Sequence, residues 1–471
     1  MHLNPPPEGF NTRKFYRQIL QSQYTAIITI FNFERPSMIR SALLAFFFAI
    51  TACLGQANAS DQLYEKLISF AQNMPEVLEA SNEIVTSQLT HAKIAAEAHP
   101  KVQFSSVGNY PIASNLSSVR ARANNRDAFL DGEISVGLPI YDFGQRSSRL
   151  KAEKFNQRKL EVRLETQINR NIFKILESSI SILSSYDKKQ ILTEHFNIFR
   201  DAAKKVKLRY EGGVGTLKSV RRLDLIELDL QGQLSQIALE IDYQVQAFRD
   251  NFGFDPSVLI EPIRHEVIQL PQELVDYSIQ SFWFDREYSN ESQALDAEIN
   301  SVRKSKWPSM DLKLTGVFYG VENNQLRENE ILGGITISMP IYDAKIRDLG
   351  AEQLSIRKKI ASQQRETNKR ELDTKLEEVR RNFLKVRSLI KNHDEKIKNL
   401  EQRISDLQIT SKATRNDESE IVSLTIELQE LNRSQVQSRW EKRLLIVKNA
   451  FLFEQLENLI RSLPPQQPKL N

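Results

Sequence analysis

The sequence predicts a mainly α-helical chain in which four short β-strands are separated by helices far longer than those of ordinary globular domains. Three observations predict it. Four segments alternate apolar and polar residues with the period of two that a strand with one apolar face requires. Two stretches hold helical periodicity almost without glycine or proline, Asp142 to about Tyr210 and Asp343 to about Leu407. The whole pattern then occurs twice.

Composition agrees with long solvated helices. The 471 residues include only 16 Gly and 16 Pro, while 26% are charged, with both signs interspersed. The formal net charge is +4, and the first 59 residues carry five Lys/Arg against two Glu, so the remainder is close to neutral. No basic field for nucleic acid is present.

The amino terminus reads as an export leader. Met38-Ile39-Arg40 precedes an apolar run from Ala42 to Ala52 that leads to Ala57-Asn58-Ala59, an A-x-A cleavage pattern. A run of about eleven residues is too short to span a bilayer as a helix. Residues 1–37 form an upstream extension, with a second apolar patch from Ala26 to Phe33 ended by Glu34-Arg35-Pro36. Ile50-Thr51-Ala52-Cys53 has the form of a lipobox, so two leader types stay open: cleavage after Ala59, or lipidation at Cys53. Cys53 is the only cysteine, so the chain beyond it has no disulfide and no thiolate metal site.

The strands are marked by their alternation. Leu130, Ile134, Val136 and Leu138 oppose Asp131, Glu133, Ser135 and Gly137. Met310, Leu312 and Leu314 oppose Asp311, Lys313 and Thr315, and Ile335, Ile337 and Met339 oppose Gly334, Thr336 and Ser338. The weakest is Val102 to Tyr110, where Val102 and Phe104 alternate with Lys101, Gln103 and Ser105. About ten residues suffice for a tilted strand to cross a bilayer, although a soluble half-buried hairpin has the same pattern.

The helices between them carry long seams. Leu160, Leu164, Ile168, Ile172 and Ile175 mark the first, and a return helix from Thr216 to Phe252 keeps Leu223, Ile226, Leu230, Leu234, Ile237 and Ile241 on one face. The second has a four-three heptad run, Leu372, Leu376, Val379, Phe383, Val386, Ile390, His393, Ile397, Leu400, Ile404 and Leu407, broken only by His393. Its return helix carries Leu424, Leu428 and Leu431, then Val436, Trp440, Leu444, Val447 and Phe451 after a slip. Such seams need partner helices.

The repeat aligns Ile134-Ser-Val-Gly-Leu-Pro-Ile-Tyr-Asp142 with Ile335-Thr-Ile-Ser-Met-Pro-Ile-Tyr-Asp343. Both come after a helix, a proline (Pro100, Pro308), a strand, a polar loop and a second strand. Pro139 and Pro340 end strands where ladder donors are no longer needed. Asp142 and Asp343 suit the N-caps of the long helices. The repeats are expected at 60–265 (helix, strand pair 101–140, hairpin 142–252) and 266–463 (helix, strand pair 309–341, hairpin 343–460), with a disordered tail at 464–471.

Strand pairs that end in Pro-Ile-Tyr-Asp, feed very long helices and occur twice in one chain resemble the TolC-like outer membrane efflux proteins, over about Asp61 to Leu459. The resemblance implies a long helical coiled-coil barrel and four strands per protomer of a homotrimeric twelve-stranded transmembrane barrel. It implies a Gram-negative outer membrane location, a large periplasmic portion, and a role as exit duct for an inner-membrane transporter and a periplasmic adaptor (membrane fusion protein), in type I secretion or small-molecule efflux. Physics agrees on one point: four strands cannot close a barrel, and an open sheet edge in lipid is prohibitive.

By the same resemblance the hairpin tips dock the adaptor and gate the channel. The first tip, Tyr210-Glu-Gly-Gly-Val-Gly-Thr216, offers Gly212, Gly213, Gly215 and Thr216 for docking. The second, Thr410 to Ser419, departs from the family in having no glycine. Asp417, Glu418 and Glu420 are the acidic gate candidates there, expected to pair with Arg221 and Arg222 of a neighbouring coil and hold the aperture shut; solvated helix-start charges are the plainer reading. The first tip has a superficial phosphate-loop look, but it lacks Gly-Lys and comes after a helix instead of a strand. No catalytic constellation, cofactor motif or metal spacing is present among the six scattered histidines. The alternative function is an exported coiled-coil scaffold or adaptor without a barrel.

Overall fold

A computed structural model of the chain describes residues 59–109, 129–213, 216–277, 281–322, 325–411 and 418–462. Met1–Ala59 and Ser60–Asn471 separate as two units. The leader with Cys53, the tail from 463, and tip residues Gly215 and Asp417 lie outside the described residues.

The elements run α1 (Ala59–Gln72), α2 (Pro75–Ala96), β1 (Lys101–Asn109), β2 (Phe129–Tyr141), α3 (Gln145–Glu211), α4 (Leu217–Phe252) and α5 (Ser257–Ile268), then α6 (Trp283–Lys304), β3 (Ser309–Glu322), β4 (Gln325–Ser338), α7 (Ile346–Ser411), α8 (Glu418–Leu452) and α9 (Leu456–Arg461). Helices α3 and α7, of 67 and 66 residues, extend about 100 Å at 1.5 Å per residue.

The four strands form one antiparallel sheet in chain order, β1-β2-β3-β4. The helices next to them keep that order: α3 packs along both α2 and α6, and α6 packs along α7. Each strand therefore continues into a helix of one wall, α2 into β1, β2 into α3, α6 into β3 and β4 into α7. Ion pairs stitch each helical seam: Arg149 to Glu97 (2.6 Å) between α3 and α2, Arg163 to Glu287 (2.5 Å) between α3 and α6, and Arg365 to Asp285 (2.6 Å) between α7 and α6. Half-exposed pairs of this kind contribute little stability; they set register.

Below that wall, α3 pairs with α4, α7 with α8, and α8 with α3. The heptad run on α7 faces inward: Val379, Phe383 and Val386 are buried, and the other seam positions, His393 included, are half-buried while their neighbours are exposed. Glycine closes the helices of the first hairpin. Gly213 ends α3 at φ +81° and Gly253 ends α4 at φ +74°, a conformation costly for residues with a Cβ. Thr216 starts α4, its Oγ1 accepting from the Ser219 amide at 3.3 Å.

The main apolar core lies at mid-length, where the short helices α1, α5 and α9 wrap α3, α4, α7 and α8. Phe70 stacks on Phe254 at 3.9 Å, and Phe254 meets Phe248 edge-on at 5.2 Å. A polar node ties three helices here. Asp187 of α3 accepts from Trp440 Nε1 of α8 (2.8 Å) and from Arg264 of α5 (2.7 Å), and the Arg443 guanidinium lies 4.7 Å from the Trp440 ring. The start of α6 is capped from a distance. The Glu454 carboxylate accepts from the Trp283 amide (2.6 Å) and from Arg286 (2.7 Å), and burial pushes its pKa up against those bonds.

Closer to the tips, His195 is buried among Leu192, Phe199, Leu223 and Leu230, and its Nε2 has no partner. Burial, then the nearby Arg433, lower its pKa; Asp229, Glu430 and Arg433 line the small cavity beside it. An unfolded imidazole titrates near 6.5. Because the folded value is lower, this group's contribution to stability is complete above about pH 6.5 and is lost as pH falls toward the folded value. The expected result is a denaturation midpoint that declines below pH 6.5, and a shallower decline in His195→Phe across the same range.

Candidate functional site

The sheet has two unlike faces, and its register defines them. Val102 pairs with Val136 and Phe104 with Ile134; Val136 pairs with Leu314 and Leu138 with Leu312; Leu312 pairs with Ile335 and Met310 with Ile337. Direct partners point to the same side, so the four alternations read from sequence form one continuous apolar face. It carries no charged side chain from Val102 to Ser106, Gly132 to Leu138, Met310 to Phe318 or Asn329 to Ile337. It is also uncovered: Phe104 is 68% exposed, Ile331 78% and Ile335 62%. The opposite face holds Lys101, Gln103, Ser105, Glu133, Ser135, Asp311, Lys313, Thr315, Glu330 and Thr336, with Val107, Val317 and Leu332 among them.

Strand β2 has 13 residues and β3 and β4 have 14 each, roughly 43–46 Å of extended chain. Tilted near 40°, that length exceeds an apolar band of about 25 Å. β4 begins ten residues before the alternation at Ile335. Its first stretch, Gln325-Leu-Arg-Glu-Asn-Glu330, has leucine as its one apolar residue and so gives no period-two signal in sequence.

Both edges of the wall are unpaired among the described residues, where β1 and β4 have no outer strand neighbour. The helices beside them present apolar stripes: Leu78, Val85 and Leu89 on α2, and Leu349, Ile356 and Ile360 on α7, all about half exposed or more. The two stripes share the spacing i, i+7, i+11, which is one helical face. Lower down, α4 presents Leu225, Leu228, Leu239 and Tyr243, of which Tyr243 is 74% exposed.

The strand-to-helix turns differ from the sequence expectation in one detail. Asp142 and Asp343 are not N-caps; Gly144 is the residue before α3, and α7 starts at Ile346. A pair of left-handed residues intervenes in each repeat, Phe143 (φ 50°) with Gly144 (φ 81°) and Ala344 (φ 50°) with Lys345 (φ 64°). Even so, the carboxylates still accept from backbone amides at the turns. Asp142 accepts from the Gly144 (3.0 Å) and Arg146 (2.8 Å) amides, and Asp343 from the Lys345 amide (3.1 Å) and the Arg347 guanidinium (2.8 Å). The Arg347 hydrogen bond is the main reason that the Asp343 pKa is lowered. Pro139 sits at a register shift in β2, so Tyr141 pairs with Met310 and joins the apolar face. Pro340 lies just past the end of β4. An aromatic cluster collects at this level: Phe143 lies 4.7 Å from Tyr141 and 5.9 Å from Trp307, and Ile341 and Tyr342 are almost fully exposed.

At the first hairpin end, Gly212 and Gly213 close α3 and Thr216 opens α4. Arg221 and Arg222 are exposed and make no ion pair among the described residues. Glu418 begins α8, and Glu420 is held at 2.6 Å by Arg403 of its own hairpin. A helix precedes Gly212 and Gly213, where a phosphate loop would follow a strand. Among the described residues no group of three metal-ligating side chains converges, and no helix is long and apolar enough to cross a membrane, which says nothing of a β-barrel.

No family model matches the sequence, and no curated protein matches it. Solved structures do. A membrane protein from Pseudomonas aeruginosa superposes with a TM-score of 0.67 over 86% of this chain and 95% of its own, at 12% identity. The outer membrane protein VceC of Vibrio cholerae gives 0.64 over 82% and 95%, at 13% identity. The CmeC outer membrane channel of Campylobacter jejuni gives 0.66 over 84% and 86%, at 11% identity. At such identities the likeness is one of architecture, and this chain has the fold of the TolC-like outer membrane channels.

Proposed function

We propose that the chain is the outer membrane exit duct of a tripartite export system in a Gram-negative bacterium. Three copies close a twelve-stranded barrel in the membrane, and their helices continue it as a periplasmic tunnel. An inner-membrane transporter delivers the cargo through a periplasmic adaptor and thereby chooses between protein and small molecule.

The observation that carries this reading is the single wall. Strands and helices keep one order, both wall edges lack strand partners among the described residues, and the face that would meet lipid has no charge from Val102 to Ser106, Gly132 to Leu138, Met310 to Phe318 or Asn329 to Ile337. An open edge leaves backbone donors and acceptors unsatisfied in hydrocarbon, so further copies must supply the missing neighbours. Because the two edges differ, α2 with β1 on one side and α7 with β4 on the other, copies join head to tail, and such contacts form a ring when the rotation closes. Tyr141, Phe143, Trp307 and Tyr342 then lie at the periplasmic membrane boundary, where aromatic girdles belong. A coiled-coil scaffold or adaptor without a barrel would leave that charge-free face in water, an aggregation hazard.

In this reading Gly212, Gly213, Gly215 and Thr216 form the adaptor-docking tip. The aperture is held by Arg221 and Arg222 of one coil against Asp417, Glu418 and Glu420 of a neighbouring one. Replacing both arginines by glutamine is expected to raise single-channel conductance and vancomycin sensitivity; unchanged values would remove the lock while leaving the duct standing. The duct itself is tested by membrane fractionation and unboiled gel mobility, with the mass of the mature amino terminus. An outer membrane trimer starting at Ser60 or at acylated Cys53 supports it, and a soluble or inner-membrane species contradicts it.

A further inference from the structure

We infer that neighbouring copies meet by repeating the junction that joins the two repeats inside the chain, so that β4 of one copy pairs with β1 of the next in the register that sets Ser338 opposite Ser105. The inference rests on the proposed ring and names the residues through which a second copy completes each open edge.

The two repeats correspond residue by residue when counted from their prolines, Pro100 with Pro308 and Pro139 with Pro340. Helices α2 and α6 are each 22 residues long and end at matched positions. The hairpin registers match as well. Val102 pairs with Val136, and their counterparts Met310 and Ile337 pair with each other; Phe104 with Ile134 and Leu312 with Ile335 repeat the agreement. Inside the chain the repeats are joined by β2 with β3 and by α3 with α6. In the same count β4 and α7 are the counterparts of β2 and α3, and β1 and α2 are those of β3 and α6. The two open edges are thus the two halves of that junction, and head-to-tail copies bring them together.

The β2–β3 register then gives the contacts between copies. Gly137 opposite Lys313 becomes Ser338 opposite Ser105 of the next copy, and Leu138 opposite Leu312 becomes Met339 opposite Phe104 of the next copy. The faces agree: by their alternation Ser338 and Ser105 are polar-side residues, and Met339 and Phe104 apolar-side ones. A slip of one residue would set each against the wrong face. Tyr141 opposite Met310 becomes Tyr342 opposite Val102 of the next copy, which covers a tyrosine left 87% exposed in the single chain.

The helices agree independently. Between α3 and α6, Lys159 lies 3.9 Å from Glu291, Arg286 2.9 Å from Glu165, and Lys304 Nζ donates to Ser148 Oγ at 3.0 Å. Lys159 and Ser148 correspond to Ile360 and Leu349 on α7, and Arg286 corresponds to Leu78 on α2. All three belong to the apolar stripes on the edges, each at least half exposed. Positions that are polar where the junction lies within one chain are apolar where it lies on an edge. The seam between copies therefore exchanges ion pairs for buried apolar surface, the stronger drive for joining separate chains.

The test is disulfide formation in membranes of the full chain carrying Ser105→Cys with Ser338→Cys, compared with Gln103→Cys with Ser338→Cys and Ser105→Cys with Thr336→Cys. The last two pairs are each two residues out of register, roughly 7 Å along a strand, which puts the Cα atoms beyond the roughly 7 Å that a disulfide can bridge. Under mild oxidation the first pair should give reducible covalent dimer and trimer, severalfold more than either shifted pair, with all three variants forming the trimer on unboiled gels. A shifted pair that links as well or better overturns the inference and leaves the ring standing. So does a trimer in which none of the three pairs links. Loss of the trimer in the unmodified chain contradicts the ring itself, and the inference falls with it.

Discussion

Trp440→Ala is expected to destabilise the helical body by about 3–5 kcal/mol, the range for truncating a large buried aromatic. The indole is 2% exposed in the mid-length core, and its Nε1–H donates to Asp187 at 2.8 Å. Truncation opens a cavity between α3 and α8 and leaves Asp187 with Arg264 as its remaining hydrogen-bond donor. It also removes the ring that faces the Arg443 guanidinium, whose pKa burial already lowers. Trp440→Phe keeps most of the volume and loses the donor, so it should fall between the two. Denaturant midpoints of the three proteins, with slopes checked for constancy, give the ranking. A loss under 1 kcal/mol for the alanine variant would mean that the node is not where the helical body is held.

Val136→Arg and Ser135→Arg, one residue apart on β2, are expected to differ sharply. Val136 pairs with Val102 and Leu314 on the charge-free face, and Ser135 pairs with Gln103 and Thr315 on the polar face. In a membrane barrel, arginine on the lipid face costs about 2–4 kcal/mol near the midplane, whereas a lumen substitution mainly tunes selectivity. Val136→Arg should therefore reduce the outer membrane oligomer, and Ser135→Arg should assemble and shift ion preference toward anions. Oligomer yield on unboiled gels compares them. Equal yields would mean that the apolar face does not meet lipid.

Much of this architecture is legible in local sequence because its periods are local. The α7 seam from Leu372 to Leu407 is buried or half-buried at every position, since a heptad face can be satisfied only by a neighbouring helix. The strand faces come from alternation alone, and the register aligns them across all four strands. What sequence missed depends on the fold's long range. Glu454 caps a helix that starts 171 residues earlier in the chain, and no local pattern marks it. Asp187, Arg264 and Trp440 meet from three separate helices. Leu445, Ile446 and Ala450 are buried off the α8 stripe because the short helices enclose that end on more than one side. At the turns, Asp142 and Asp343 are spaced as caps would be, but the left-handed pairs Phe143-Gly144 and Ala344-Lys345 push the helix starts onward. A non-glycine residue at φ near +60° leaves little trace in sequence.

The gate candidates are readable in sequence only as charge near a turn. Glu420 shows why that is not enough: within the chain it is engaged by Arg403, seventeen residues before it. Any pairing with Arg221 or Arg222 is a property of the assembly.

Head-to-tail closure of the wall is the central claim, and thiol cross-linking of its two edges tests it most directly. Cys53 is the only cysteine in the chain, so cysteines placed at Leu89 on α2 and Ile356 on α7 form a clean pair. Treated in membranes with a short bis-thiol reagent, the double variant Leu89→Cys with Ile356→Cys should give covalent dimer and trimer and nothing larger, while each single variant stays monomeric. Dimers from either single variant would mean that like edges meet like. A ladder beyond three, or no product from the double variant, would contradict a closed ring of three chains.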